Sequence, residues 1–287
     1  MKKEFVLGVI GGSGLYDFPG LDDRETLEID TPFGKPSSPI ITGTLRGRNV
    51  AFLARHGIGH FYSPSEVNYQ ANIFALKYLG INQVVSVSAC GSLREDYAPG
   101  DIVIPDQIFD FTHKRGRSFF GNGIVAHVGD PNPYCSELSK AVEKAVKKSN
   151  ATVHTGGTYI TIEGPRFSTI AESNVYRAWG MSIIGMTACP EVFLAREAEM
   201  CYCTMAHVTD YDVWHVSEEP VSVEMVIKTL MKNTSIAQNA IIELIENLPP
   251  IENCECNSAL KDSIMTRKDL LPEHTKRDLD IFIHKYL

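Results

Sequence analysis

Six short runs, at residues 5–10, 50–54, 84–87, 102–105, 182–186 and 201–208, are almost unbroken in apolar and β-forming residues and recur from one end of the chain to the other. A strand with one wet face alternates polar and apolar side chains, so runs without that alternation are expected to be covered on both faces. Helical spacing fills the segments between them. Residues 65–79 read as a helix, and residues 135–149 place apolar and alanine positions three and four apart, with lysines toward the end. Thr169-Ile-Ala-Glu172 is a capping box that predicts a helix starting near Ser168. The longest stripe holds Val223, Val226, Ile227, Leu230, Ala237, Ile241, Leu244, Ile245 and Leu248, and Pro249-Pro250 ends it. Strands alternating with helices predict an α/β fold around a largely buried sheet.

With 287 residues, 44% of them hydrophobic, the chain can bury one large core or two closely merged ones. The reading adopted is one domain over residues 1–250. The tail at 251–287, rich in Glu, Asn, Lys and Asp, is expected to be partly mobile until a short amphipathic helix from Asp278 to Leu287 packs on that domain. A net charge of −8 gives no long-range attraction to nucleic acid or anionic lipid, so partners of neither kind are expected. No apolar stretch is long enough to cross a bilayer, and the apolar run after Lys2-Lys3 meets Gly11-Gly12 too soon for a signal peptide. A cytoplasmic protein is the expectation.

Of the seven cysteines, Cys90, Cys135, Cys189, Cys201 and Cys203 lie in apolar or strand-like sequence, where thiols serve as small buried hydrophobes. Cys254-Glu-Cys256 lies in a polar segment. Zinc would need two more ligands at similar spacing, and the neighbourhood offers none. Two surface thiols and a local or intersubunit disulfide both remain open.

Three strand ends carry candidate chemistry. Gly11-Gly12-Ser13-Gly14 follows the first run, where glycines let backbone amides approach an anion and Ser13 adds a hydroxyl. It lacks the P-loop lysine and the dinucleotide fingerprint, and a plain turn fits it as well. Arg55-His56-Gly57 follows the second run. Arginine offers a planar fork suited to phosphate and histidine a further donor, although such a pair also serves as a structural hydrogen bond. With Ser13, Ser88 and Thr187 it makes an anion site at the ends of several strands, where open α/β sheets place ligands. Thr209-Asp-Tyr-Asp212 follows the last run. If the segment is extended, Asp210 and Asp212 point to one side and address one ligand; a solvated turn is the competing reading.

Taken together, the fragments resemble the trimeric purine nucleoside phosphorylase family, and within it the members that act on 5′-methylthioadenosine. Ile10-Gly-Gly-Ser-Gly14, Arg55-His-Gly57, Asn68-Tyr-Gln-Ala-Asn72, Ser88-Ala-Cys-Gly-Ser-Leu-Arg94, Pro99-Gly-Asp101, Thr161-Ile-Glu-Gly-Pro-Arg-Phe-Ser168, Met186-Thr187, Pro190-Glu191 and Thr209-Asp-Tyr-Asp212 stand in the family's order. The resemblance implies that family's fold, a central twisted mixed β-sheet flanked by helices. It further implies that Ser13, Arg55, His56, Ser88 and Thr187 hold phosphate. Many relatives carry threonine at the Ser13 and Ser88 positions, and a hydroxyl survives at both.

Phe167 and Ser168 would then line the substrate, with Phe167 on the purine face, Met186 against the ribose, and Ala89 along base and sugar through its backbone. Asp210 and Asp212 would address the base. Val221, Val223 and Ile227 would wall the 5′ substituent, and His127 would come from a neighbouring subunit of a homotrimer or dimer of trimers. Ordinary helix packing fits Val223 and Ile227 almost as well, and an interface role fits His127.

The implied reaction is phosphorolysis of the C1′–N9 bond, with Asp210 as general acid toward N7. Its pKa would be raised by burial and by nearby Asp212. Inorganic phosphate is a co-substrate, and no metal or organic cofactor is needed. Carboxyl groups that both accept and donate favour a 6-amino purine over a 6-oxo one. An apolar wall favours methylthio over hydroxyl, because a buried hydroxyl without a partner costs about 1–3 kcal/mol. A phosphorylase of 6-oxo purine nucleosides or methylthioinosine, and a non-catalytic nucleoside-binding protein, are the competing readings. A nicotinamide oxidoreductase lacks the rest of its fingerprint.

Overall fold

The computed structural model describes residues 3–12, 15, 18–215 and 223–287, and within 223–232 only the side chains of Val223, Glu224 and Ile227. Ser13 and Val221 therefore lie outside the described residues.

Eleven strands form one mixed sheet: β1 (Phe5–Gly11), β2 (Asp22–Leu27), β3 (Ile40–Leu45), β4 (Arg48–Ala54), β5 (Gln83–Ser92), β6 (Ile102–Ile104), β7 (Gln107–Phe111), β8 (Val153–Thr155), β9 (Thr158–Ile162), β10 (Ile183–Gly185) and β11 (Cys201–Asp210). The helices are α1 (Tyr69–Tyr78), α2 (Ser136–Lys148), α3 (Ile170–Ala178), α4 (Ala188–Glu197), α5 (Val223–Glu246) and α6 (Glu273–Ile283). This is the expected α/β class with a mixed sheet. None of the described helices is long and apolar enough to cross a membrane.

The sheet runs in the order β2-β3-β4-β1-β5-β10-β9-β7, and β11 joins β5 from its other side. The strands β1, β4, β5 and β11 are parallel, so their carboxyl ends lie at one edge. All ten residues of β11 are buried, which is the sequence signature of a strand covered on both faces. Along one side of β5 the partner changes. β1 pairs with Val84 to Ser86, and antiparallel β10 pairs with Gly91 and Ser92. Among the described residues, no strand pairs with Val87 to Cys90 on that side, so the sheet splits there.

Strand β5 outruns the expected 84–87 because Ser86, Ser88 and Gly91 interrupt its apolar run without interrupting its pairing to β11. Helix α1 starts four residues later than expected, since Asn68 accepts from the Ala71 N–H at 3.1 Å and caps it there. The α3 capping box forms as read, with Thr169 as N-cap. On α5 the apolar stripe divides. Ala237, Ile241, Leu244 and Ile245 are core, whereas Val223 and Ile227 are 63% and 51% exposed.

Two expectations are corrected. The tail is not loose until Asp278: Leu260, Leu271, Leu279, Phe282 and Ile283 are buried, and α6 begins at Glu273. The Phe282 ring packs tilted against Phe119 at 4.5 Å and edge-on against Phe74 at 5.6 Å, ring centre to ring centre. A few widely spaced apolar anchors among many charges were enough to order it. Cys254 and Cys256 are not surface thiols either, being half-buried and buried, and all seven cysteines are free.

Candidate active site

A cavity of about 560 Å³ opens at the split in the sheet, a size suited to a small organic ligand. Arg55, His56, Ser88, Ala89, Phe167, Ser168, Met186, Thr187, Asp210, Asp212, Val223 and Ile227 all line it. Their positions follow from the topology. Arg55 and His56 leave the end of β4, Ser88 and Ala89 lie where β5 is paired to β11 alone, Asp210 ends β11, and β10 runs back to deliver Met186 and Thr187. Gly12 lines the same cavity, next to undescribed Ser13. His127 is exposed and does not line the cavity of its own chain; its backbone N–H donates to the Ser263 carbonyl at 2.9 Å.

At one end, Arg55 is 1% exposed and its guanidinium is largely occupied. Nε donates to Glu191 Oε2 at 2.8 Å, Nη2 to Glu191 Oε1 at 3.0 Å and to Ser86 Oγ at 2.7 Å, and Nη1 to the Val87 carbonyl at 3.2 Å. The planar fork expected at an anion is therefore aimed at Glu191, and one Nη1 hydrogen has no partner among the described residues. Burial alone would lower the Arg55 pKa, but the Glu191 carboxylate outweighs it and holds the group above its ordinary value. Tyr202 also donates to Glu191, at 2.7 Å.

His56 Nδ1 lies 2.8 Å from the Tyr62 carbonyl, which can only accept, so Nδ1 carries the hydrogen and Nε2 is left for a ligand. Burial and the Arg55 charge push the His56 pKa down to about 4. The Ser88 and Ser168 hydroxyls are buried without a hydrogen-bond partner among the described residues, the state of donors that await a ligand or water.

At the other end the two carboxylates meet the cavity by a route the sequence did not suggest. Strand β11 stops at Asp210, and Asp212 adopts a left-handed φ of 52°. The Asp212 N–H then turns back to Asp210 Oδ1 at 2.8 Å, an Asx-type turn in place of extended alternation. This turn is buried rather than solvated: Asp210 and Asp212 are each 7% exposed. Opposite Asp210 in the ladder stands Gly91, where a Cβ would come within 2.9 Å of Asp210 Oδ1.

Burial raises the Asp210 pKa, and its hydrogen bonds from Thr209 and the Asp212 N–H pull the other way. Asp212 too is raised first by burial and also by the Asp210 charge, a repulsion that the two carboxylates share. Thr209 Oγ1 sits 2.6 Å from Asp210 Oδ2 and 3.2 Å from the Cys90 carbonyl. One hydroxyl hydrogen cannot serve two acceptors, so both contacts are satisfied together only when Asp210 carries a proton.

Several lining or supporting residues went unread in the sequence. His207 lines the cavity fully buried, with neither ring nitrogen hydrogen-bonded among the described residues, and burial lowers its pKa to about 4. It lies inside an apolar run and looked like core. Arg115, in a polar loop, donates from Nη1 to the Met186 and Cys189 carbonyls at 2.6 Å each and from Nη2 to the Glu163 carbonyl at 2.8 Å. It thereby fixes the backbone from which Met186 and Thr187 enter the cavity. Glu191 stood in a recognised fragment, Pro190-Glu191, but nothing local to it revealed its partner.

Known proteins with this architecture agree with one another. The phosphorylase superfamily profile matches residues 6–246. The S-methyl-5′-thioadenosine phosphorylase of Koribacter versatilis is 50% identical over 280 residues, spanning 98% of this chain and 96% of its own. That of Geobacter sulfurreducens is 50% identical over 285 residues, spanning 99% of this chain and all of its own. Among solved structures, a methylthioadenosine phosphorylase from an antarctic soil metagenomic library superposes with a TM-score of 0.92 at 43% identity, covering 98% of this chain and 99% of that one. The Schistosoma mansoni methylthioadenosine phosphorylase in complex with adenine superposes at 0.85 with 36% identity, covering 93% of this chain and 100% of that one. With a profile over most of its length and relatives that match it nearly end to end, the chain belongs to the phosphorylase superfamily, among its S-methyl-5′-thioadenosine phosphorylases.

Proposed function

We propose that this protein cleaves 5′-deoxy-5′-methylthioadenosine with inorganic phosphate, giving adenine and 5-methylthioribose 1-phosphate. The observation that carries this reading is a single cavity with anion donors at one end and a buried, protonatable carboxyl at the other. Full-length relatives at about half identity carry the same activity in their names.

Phosphate rests on the free Nη1 hydrogen of Arg55, on His56 Nε2, and on the hydroxyls of Ser88, Thr187 and Ser13. A phosphate oxygen attacks C1′ as the C1′–N9 bond breaks, and the bonding pair leaves with the purine. The fixed donors hold the anion against the sugar, and the anion stabilises the cationic centre. Asp210 turns its proton from Thr209 Oγ1 to N7 of the departing adenine and gives it up there. As it does so, the Thr209 hydroxyl turns from the Cys90 carbonyl toward Asp210 Oδ2 and stabilises the new carboxylate. The two carboxyl groups accept from the 6-amino group and donate to N7, a pattern a 6-oxo purine cannot match.

Phe167, 37% exposed at the cavity wall, covers the purine; Met186 packs on the ribose, and Ala89 presents the unpaired edge of β5. Val223 and Ile227, exposed in the single chain, form with Val221 the wall for the methylthio group. His127 reaches this pocket from a neighbouring subunit of a homotrimer.

Base release from methylthioadenosine, adenosine, inosine and methylthioinosine, each with and without phosphate, tests the assignment. Methylthioadenosine should be fastest, and every rate should vanish without phosphate. Faster release from the 6-oxo substrates would overturn the base assignment, and saturable binding without base release would overturn the activity.

A further inference from the structure

The Sγ atoms of Cys135, Cys201, Cys254 and Cys256 all lie within 4.8 Å of one another, far along the sheet from the cavity. They come from three separate places. Cys135 is the N-cap of α2, Cys201 is the first residue of β11, and Cys254 and Cys256 belong to the 3-10 turn at Glu255–Ser258 and its cap. Cys254 Sγ is 3.7 Å from Cys135 Sγ and 3.4 Å from Cys201 Sγ. A disulfide would need about 2.05 Å. The edge of a tetrahedron with Zn–S bonds of about 2.3 Å is about 3.8 Å.

We propose that these four thiols bind one zinc-class divalent ion as a closed, structural tetrathiolate site. The donor set is soft and has no oxygen ligand, which selects a thiophilic ion over magnesium or calcium. On binding, each thiol releases its proton to water and no electrons are exchanged, leaving a complex of net charge −2. Arg196 is placed to offset that charge, with Nη1 donating to Cys256 Sγ at 3.3 Å, and the α2 N-terminus adds its positive dipole end at Cys135.

Cys201 and Asp210 stand at opposite ends of β11, about 30 Å apart by strand rise. Four protein ligands leave no open position for chemistry. The ion therefore acts on the fold. It ties the segment after α5 to the base of the sheet, closing stretches of 53 and 119 residues that nothing local would hold.

The full-length protein is reduced, equilibrated with Zn²⁺, gel-filtered, and analysed for metal by emission spectrometry. The same sample is unfolded in chelator without reductant and its thiols are counted. About one zinc per chain with all seven thiols is expected. Seven thiols with no zinc, or only the three other cysteines titrating because two disulfides have formed, overturns the proposal. Co²⁺ in place of zinc should give the sulfur-to-cobalt charge-transfer band and the intense visible bands of a tetrahedral thiolate; weak octahedral bands would overturn it. Cys256→Ser should lose nearly all bound zinc and Cys203→Ala none. Zinc retained by Cys256→Ser would place the ion elsewhere, and the wild-type cobalt spectrum decides the question should that variant not fold.

Discussion

Glu191 holds Arg55 by two parallel hydrogen bonds, 2.8 Å from Nε and 3.0 Å from Nη2, with both side chains sealed from solvent. The pair fixes the plane of the guanidinium, and with it the remaining Nη1 hydrogen. Glu191 thus acts on the proposed phosphate end through Arg55.

Glu191→Ala should therefore cost about 3–5 kcal/mol of stability, because it strands a buried guanidinium without its counter-charge. Denaturant unfolding measures this. Where the variant still folds, its KM for phosphate should rise far more than its KM for the nucleoside. A loss below 1 kcal/mol would show the pair to be unimportant.

Asp210→Ala should lower kcat by about 10²–10⁴-fold, the usual worth of a positioned general acid. The deficit should shrink for a nucleoside already methylated at N7, whose base leaves without that proton. With Asp210 acting as proposed in its protonated form and burial raising its pKa, wild-type kcat should fall as pH rises through that raised value. Near-normal turnover by Asp210→Ala with every purine would remove Asp210 from the chemistry.

Thr209→Val removes the hydroxyl that serves Asp210 in both protonation states. Its kcat should fall by about tenfold, in keeping with the loss of one hydrogen bond of about 1.4 kcal/mol, with little change in either KM. Thr209→Ser, which keeps the hydroxyl, should recover most of the rate.

His56, with its pKa near 4, is neutral in the empty site, and its Nδ1 hydrogen is committed to the Tyr62 carbonyl. A hydrogen bond between Nε2 and phosphate then takes its hydrogen from a proton gained by the imidazole, which the adjacent anion favours, or from the O–H that phosphate already carries. With the proton gained by His56, phosphate affinity should fall as pH rises above about 4, by up to about tenfold per unit, until the pKa of the complex is passed. Calorimetry in buffers of different ionisation enthalpy should show proton uptake on phosphate binding. Uptake unchanged in His56→Gln would assign the proton to another group.

The sequence exposes what local patterning records. Strands β1, β4 and β11 could be read because their apolar runs are covered on both faces, and α3 because its capping box is contained in four residues. Strand β2 could not, since it is a charged edge strand exposed along nearly its whole length. Helix α4 was hidden by Cys189-Pro190 near its start and by the buried carboxylates of Glu191 and Glu197, which break an apolar stripe. Arg55 and Asp210 were legible as polar residues at strand ends. Glu191 was not legible as Arg55's partner across 136 residues, nor were Cys135 and Cys201 as neighbours of Cys254, because only the folded chain brings them together.

The account rests on phosphate, not water, attacking the sugar while the base departs. Phosphorus-31 spectra of the protein with methylthioadenosine and inorganic phosphate test this directly. A pentose 1-phosphate resonance should grow at the expense of free phosphate, mole for mole with released adenine. Adenine released while the phosphate signal stays constant would mean hydrolysis, and would contradict the account.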